Sequence, residues 1–326
     1  MTFLLDVKGL NVRFRTEFGL VHAVNEVSFS VSKGETLAVV GESGSGKSVT
    51  ALALMRLLDR TALIDGEASF EGVNLFTMSE KEMQKIRGAR IGMIFQDPMT
   101  ALNPVFTVGD QIAEVVLIHR DCTKQEAKTR AIEMMDLVGI PDSRRRVDQY
   151  PHEFSGGMRQ RAMIAMAIAN SPSLLIADEP TTALDVTVQA QVMEVIRSVQ
   201  ESIGLTVMLI THDLGLVAGF ADRIQVMYAG QLVETAERDR IFYETRNPYT
   251  RALLDSIPSQ LGVPGTELKT IGGNPPSLLS PPPGCLFQPR CVHATEDCRM
   301  TRPELKSVGQ NHLSRCLRSS DLGVLR

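Results

Sequence analysis

The chain has no tryptophan, and only 5% of its 326 residues are aromatic. A surface that stacks nucleic-acid bases needs aromatic rings, so that role is disfavoured. There is no excess of positive charge either: 34 Lys and Arg stand against 38 Asp and Glu, a formal net charge of −4. Nucleic acid is therefore not an expected partner, because phosphate-backbone binding draws on a basic surplus. No apolar run reaches the ~18–20 residues of a membrane-spanning helix. The opening Met1-Thr2-Phe3-Leu4-Leu5-Asp6 lacks the basic start and apolar stretch of a secretory signal. Hydrophobic residues, by contrast, make up 43% of the chain, enough for a proper core. The expectation is an intracellular, globular chain of about two domains that does not insert itself into a membrane.

Three short apolar runs stand out: Thr36–Val40, Leu174–Ala177 and Thr206–Ile210. Each is unbroken rather than alternating, the pattern of parallel strands buried on both faces. Each leads directly into Gly or polar residues, and open α/β sheets place their sites at the carboxyl ends of strands. After the first run come a Gly-rich loop and an apolar helical stretch, Ser48–Leu58, the start of a βαβ unit. From Val108 to about Ala169 the periodicity is helical. Within it, Thr123-Lys124-Gln125-Glu126 is a capping box that starts a helix, and Gly139 stops it after Val138. Val12–Phe14 and Val27–Val31 suggest an antiparallel N-terminal layer. Late in the chain, Pro275–Pro283 holds five of the 16 prolines within nine positions, which predicts an extended connector.

Gly41-Glu42-Ser43-Gly44-Ser45-Gly46-Lys47-Ser48 fits the pattern G-x-x-x-x-G-K-S/T in full, between a buried strand and a helix. The glycines let backbone N–H groups turn inward around phosphate oxygens, and the helix start, with Val49, adds its positive dipole end. Lys47 then neutralises the β- and γ-phosphates of ATP, and the Ser48 hydroxyl is placed for Mg²⁺. Leu174–Ala177 ends in Asp178-Glu179. A carboxylate there serves the metal, which is the role for Asp178, while Glu179, pointing elsewhere, suits a general base for water. His212 follows the third run and is placed to contact the γ-phosphate or the water.

Two further stretches carry a family resemblance: Ile94-Phe95-Gln96-Asp97-Pro98, and Phe154-Ser155-Gly156-Gly157-Met158-Arg159-Gln160-Arg161. With the loop, the acids and His212 in this order, residues 5–240 resemble the ATP-binding subunit of an ABC transporter. The family signature is usually read Leu-Ser-Gly-Gly-Gln, and here Phe154 and Met158 replace its outer residues. The resemblance implies an α/β P-loop NTPase fold: a RecA-like core with an antiparallel β layer and a helical subdomain at about 98–170, all within 1–240. It implies a head-to-tail dimer in which Ser155, Gly156 and Gly157 serve the ATP of the partner subunit. Gln96 resembles the residue that contacts Mg²⁺ and water and senses the membrane subunit. Thr182-Ala183-Leu184-Asp185 resembles the dimer-contact loop. An aromatic residue stacks on adenine, with Phe14 preferred to Phe18. A soluble ABC ATPase of DNA repair or the ribosome, an ATP-binding regulatory module and an exporter are the alternatives. The single phosphate loop, the modest helical insert and the intact Glu179 and His212 weigh against the first two.

Residues 241–326 form a C-terminal extension with four of the five cysteines, Cys285, Cys291, Cys298 and Cys316, spaced C-x5-C-x6-C-x17-C. This matches neither common zinc-finger spacings nor ferredoxin runs, and leaves disulfides, structural zinc, a 4Fe–4S cluster and free thiols open. His293 and His312 lie among them, while Cys122 stands apart before a helix. Gln96-Asp97-Pro98-Met99-Thr100-Ala101-Leu102-Asn103-Pro104, Asn247-Pro248-Tyr249-Thr250-Arg251-Ala252-Leu253-Leu254 and the cysteine tail together resemble the oligopeptide/dipeptide/nickel import subfamily. That resemblance favours the iron–sulfur cluster. It implies ATP-driven import at the cytoplasmic face of a bacterial inner membrane. The implied partners are two transmembrane permease subunits, a second and commonly paralogous ATPase, and an extracytoplasmic binding protein. Peptides are the expected cargo, with nickel, heme and sugars within the subfamily's range.

Overall fold

The computed structural model describes residues 3–96, 101–182, 185–257 and 270–325. Its strands are β1 (Leu5–Thr16), β2 (Gly19–Val31), β3 (Thr36–Val40), β4 (Ala62–Phe70), β5 (Val73–Asn74), β6 (Ile91–Ile94), β7 (Leu174–Asp178), β8 (Thr206–Thr211), β9 (Arg223–Tyr228), β10 (Gln231–Glu237), β11 (Lys306–Gly309) and β12 (His312–Ser314). The three apolar runs of the sequence are β3, β7 and β8, and every residue of the three is buried. Unbroken Val, Leu and Ile suit a strand covered on both faces, where no position has to meet water.

The chain divides into two compact units. One takes in Val31–Thr36 and Thr77–Ile210. Here β6, β7 and β8 run parallel, with Ile91 opposite Leu174 and Leu174 opposite Thr206. The helical stretch of the sequence resolves into Val108–His119, Lys124–Leu137, Ser143–Arg146 and Gly156–Ile168. The expected capping box is formed: Thr123 Oγ1 accepts the Glu126 N–H, and the Glu126 carboxylate accepts the Thr123 N–H at 2.7 Å. Gly139 ends that helix in a left-handed turn, φ 71°.

The other unit takes in Leu4–Ser30, Leu37–Phe76 and Thr211–Arg326. One of its sheets has the order β2-β1-β4-β5, with β1 and β4 antiparallel, so the N-terminal layer exists and is longer than the sequence suggested. In the second set, β3 pairs parallel with β9, followed by antiparallel β10, β12 and β11. The strands β11 and β12 had no clear signal in the sequence; they extend the β9–β10 hairpin from within the cysteine tail. After the phosphate loop, the helix expected over Ser48–Leu58 runs only from Lys47 to Leu54, because Arg56 turns left-handed at φ 51°. The proline-rich segment, 275–283, carries no helix or strand, as five prolines dictate.

Candidate functional site

Gly41–Ser48 follows β3 as a loop whose three glycines all have positive φ: 154° at Gly41, 76° at Gly44 and 101° at Gly46. Two of them are also sterically forced. A Cβ on Gly41 would lie 2.2 Å from the Met227 carbonyl oxygen, and one on Gly46 2.6 Å from that of Ala23. Gly46 is also the N-cap of the helix Lys47–Leu54, so the positive end of that helix opens onto the loop. Gly41, Ser45, Gly46 and Lys47 are buried, Ser48 and Val49 half-buried, and Ser43 and Gly44 exposed at the loop's tip. Lys47 Nζ folds back to donate to the carbonyls of Gly41 (2.7 Å) and Glu42 (3.0 Å). Its charge thus lies within the turn of backbone that receives an anion.

In the same unit as the loop, Phe14 is half-buried on β1, opposite Ala62, whereas Phe18 is 83% exposed at the turn before β2. His212 is exposed directly after β8, and Asp213 beside it caps the next short helix by accepting the N–H groups of Gly215 and Leu216.

The unit containing β6–β8 holds the acids and Gln96. Asp178 is the buried last residue of β7. Glu179 leaves the strand with φ 47°, a left-handed conformation that a non-glycine residue adopts at a cost of order 1–3 kcal/mol. Its N–H is held by the Ile210 carbonyl at 2.8 Å. Its Oε2 accepts Gln96 Nε2 at 3.0 Å and Thr182 Oγ1 at 2.8 Å. Gln96 and Glu179 are therefore brought together as a pair, and Thr182 joins them. The sequence marked Thr182 only as part of a dimer-contact loop. Asp97–Thr100, Ala183 and Leu184, which belong to the quoted motifs, lie outside the described residues.

Ser155 caps the helix Gly156–Ile168 and accepts the Met158 N–H at 3.3 Å. Ser155, Gly156 and Gly157 line a concavity of about 520 Å³, together with Asp185, Val188 and Arg161. Asp185 is itself the cap of the long helix Val186–Ile203, accepting the Val188 N–H. Two helix starts thus border one hollow, which no local sequence signal announced.

All five cysteines carry free thiols. Cys285, Cys291, Cys298 and Cys316 line a single cavity with Leu286, Phe287 and Leu317, although the first and last are 31 positions apart. Burial raises the thiols of Cys285 and Cys291 above the usual range. Burial, with the three neighbouring thiols adding to it, pushes Cys316 up to about 11. The thiols share a space without closing on a point: among the described residues no three His, Cys, Asp or Glu side chains surround a position for a single metal ion. His293 lines the cavity, but His312 does not. Buried on β12, His312 meets Glu234 of the paired strand β10 instead, Nε2 to Oε1 at 2.8 Å. Cys122 is half-buried ahead of the helix Lys124–Leu137.

Comparison with known proteins sharpens these observations. The ABC transporter family matches residues 24–182, and the C-terminal region of the oligopeptide/dipeptide transporters matches residues 233–298. The oligopeptide transport ATP-binding protein OppD of Bacillus subtilis is 53% identical over 96% of this chain and 88% of its own length. OppD of Haemophilus influenzae is 50% identical over 98% of this chain and 99% of its own, and the dipeptide transport protein DppD of Bacillus subtilis is 51% identical over 97% and 95%. Among solved structures, the dimeric ATP-binding cassette MJ0796 bound to ADP and Pi is similar with a TM-score of 0.64 and 27% identity, covering 72% of this chain and 98% of that one.

Proposed function

The chain belongs to the ABC transporters, in their oligopeptide/dipeptide branch, and from that footing we propose how it works as the ATPase subunit of a peptide importer. It hydrolyses ATP to ADP and phosphate and couples the reaction to uptake of di- or oligopeptides through separate membrane-spanning subunits. The observation that carries this reading is the phosphate loop: three left-handed glycines, a helix start and the Lys47 ammonium around one turn of backbone, in a chain whose tail matches the peptide-transporter C-terminal region.

In this reading residues 1–240 are the ATPase domain, with 98–170 as its helical part, and 241–326 are the extension. Gly41–Val49 grip the triphosphate, with Ser43 and Gly44 exposed for it and Lys47 leaving its carbonyl partners to meet the β- and γ-phosphates. Phe14 stacks on adenine. Ser48, Gln96 and Asp178 offer hydroxyl, amide and carboxylate oxygens, hard donors suited to Mg²⁺, which when bound neutralises phosphate charge. Glu179 takes the proton of the attacking water, oriented through its Oε2 by Gln96 and Thr182, and His212 holds the γ-phosphate. Ser155, Gly156 and Gly157 reach the ATP of the partner ATPase from the hollow they line, in a head-to-tail pair with a paralogous chain. Binding of ATP closes the pair, closure moves the permease through the surface near Gln96, and hydrolysis with product release reopens it. No helix among the described residues is long and apolar enough to cross a membrane. The subunit docks on its permeases at the cytoplasmic face of the inner membrane, and an extracytoplasmic binding protein delivers the peptide.

The four tail cysteines hold a 4Fe–4S cluster. The support is the lining of one largely apolar cavity by all four cysteines, together with the four thiolates that such a cluster requires. Its contribution when bound is to fold a tail too small for a core of its own.

The test of the ATPase assignment is Glu179→Gln. The variant retains ATP binding and loses turnover by at least about 10²-fold, the usual scale for a general base. Hydrolysis at the wild-type rate would remove Glu179 from the role.

A further inference from the structure

The phosphate loop is gripped from behind by the cysteine extension. Arg290 lies between Cys285 and Cys291, and its side chain is 4% exposed. Its guanidinium meets the Glu42 carboxylate in a two-pronged ion pair, Nη1 to Oε2 at 2.7 Å and Nη2 to Oε1 at 2.8 Å. Such fork-to-fork pairs fix geometry as well as charge. Arg290 itself is held firmly: Nε donates to the Gly272 carbonyl at 2.9 Å, and the guanidinium lies over the Tyr228 and Phe287 rings. Those two rings pack against Tyr249, whose hydroxyl accepts the Glu42 N–H at 2.9 Å. Glu42 is the second residue of the loop, and its carbonyl accepts Lys47 Nζ.

Glu42 is thus tied at its carboxylate by Arg290, at its N–H by Tyr249 and at its carbonyl by Lys47. The Glu42 carbonyl also accepts the Ser45 N–H at 3.2 Å, closing a turn over Ser43 and Gly44, which are exposed. In a loop that binds anions by the direction of its backbone N–H groups, orienting one peptide unit orients the next. We propose that Arg290 is a positioning residue for ATP: through Glu42 it holds the first half of the phosphate loop in its receiving conformation, so that the folded cysteine tail sets nucleotide affinity. Arg290 touches no substrate in this arrangement. It acts on binding and leaves the chemical step alone, and any disturbance of the Cys285–Cys291 turn is transmitted to the loop.

This inference rests on the ATP-binding reading, and the experiment separates the two. The full-length chain is titrated with a fluorescent ATP analogue, and KM and kcat for ATP are measured in parallel. Lys47→Ala is the control for the site. A wild-type chain that binds no nucleotide overturns the ATP reading and this proposal with it. Given wild-type binding, Arg290→Ala weakens nucleotide affinity about tenfold and raises KM alike, while kcat stays within about twofold. Glu42→Ala weakens affinity to a similar degree, and the double variant is no weaker than either single one, because both remove the same contact. Arg290→Lys recovers only part of the loss, since an ammonium cannot make the fork. Wild-type affinity in both single variants, or losses that multiply in the double one, overturns the proposal. Should Arg290→Ala fail to fold, Glu42→Gln and Tyr249→Phe carry the test: each must raise KM with an unchanged melting temperature, and unchanged KM in both overturns it.

Discussion

Gly41–Ser48 and Cys285–Cys316 each arrange polar groups around a space, and they do so by different means. The loop is eight consecutive residues, and what it offers is mainly backbone, shaped by glycines at φ 154°, 76° and 101°. The cysteine site is four side chains spread over 32 positions, and what it offers is sulfur. Backbone geometry is set by near neighbours, so the loop reads directly from its letters. Side-chain convergence is set by folding, so the same number of cysteines at the same spacing is compatible with zinc, a cluster, bridges or nothing. The comparison also shows the two regions are not independent, because Arg290 of one is paired with Glu42 of the other.

The difference can be tested by breaking each region in its own way. Lys47→Ala removes the ammonium that sits within the loop. ATP turnover falls by about 10³-fold or more while the melting temperature holds within a few degrees, as read by phosphate release and calorimetry. A variant with appreciable turnover would show that backbone alone suffices. Cys298→Ser removes the one cysteine of the tail that is buried rather than half-buried. On the proposed cluster, iron, sulfide and visible absorbance disappear from the purified protein, and the melting temperature drops by about 5–10 °C. A colourless wild-type protein with stoichiometric zinc would remove the cluster.

Gly41→Ala attacks the loop's backbone with a single methyl. Its Cβ meets the Met227 carbonyl at 2.2 Å, and relieving the clash costs about 1–3 kcal/mol and weakens ATP affinity. Full affinity would show that the loop's conformation is set elsewhere. Thr123→Ala is the smallest change, costing about 1 kcal/mol of stability by denaturant titration and leaving ATP affinity untouched. Hydrogen bonds from the Thr123 N–H and hydroxyl hold the Glu126 carboxyl below the usual range. The contribution of that box is therefore present above the ordinary glutamate range and is lost as pH falls through the lowered value. The gap between the wild-type and Thr123→Ala stabilities should narrow in acid without closing, because only the hydroxyl's bond to the Glu126 carboxylate is lost with pH while its cap on the Glu126 N–H remains. A cap that shifted ATP affinity would break the distinction between local and convergent sites.

Much of the fold was legible for the same reason as the loop. Unbroken apolar runs marked β3, β7 and β8, and the capping box marked Thr123. Each signal is local, carried by residues a few positions apart. The misses are nonlocal. The helix after the loop ends at Leu54 rather than Leu58 because of a left-handed Arg56 that the apolar pattern did not betray. Strands β11 and β12 are only four and three residues long and owe their existence to the open edge of β10. His312 sits among the cysteines in sequence but belongs to Glu234 in space.

The letters alone were enough to specify a phosphate loop, a strand-end pair of acids and a cysteine-bearing tail, because glycine freedom, charge and hydrophobic pattern act over a few residues. They were also enough for the resemblance that the relatives bear out, a peptide-import ATPase. Only the folded chain decided that Gln96 and Thr182 share one oxygen of Glu179, that Ser155 and Asp185 border one hollow, and that four thiols face one cavity. It also decided that Arg290 reaches across 248 residues to the phosphate loop. Those are contacts between segments far apart along the chain, and no short window of sequence contains the packing that brings them together.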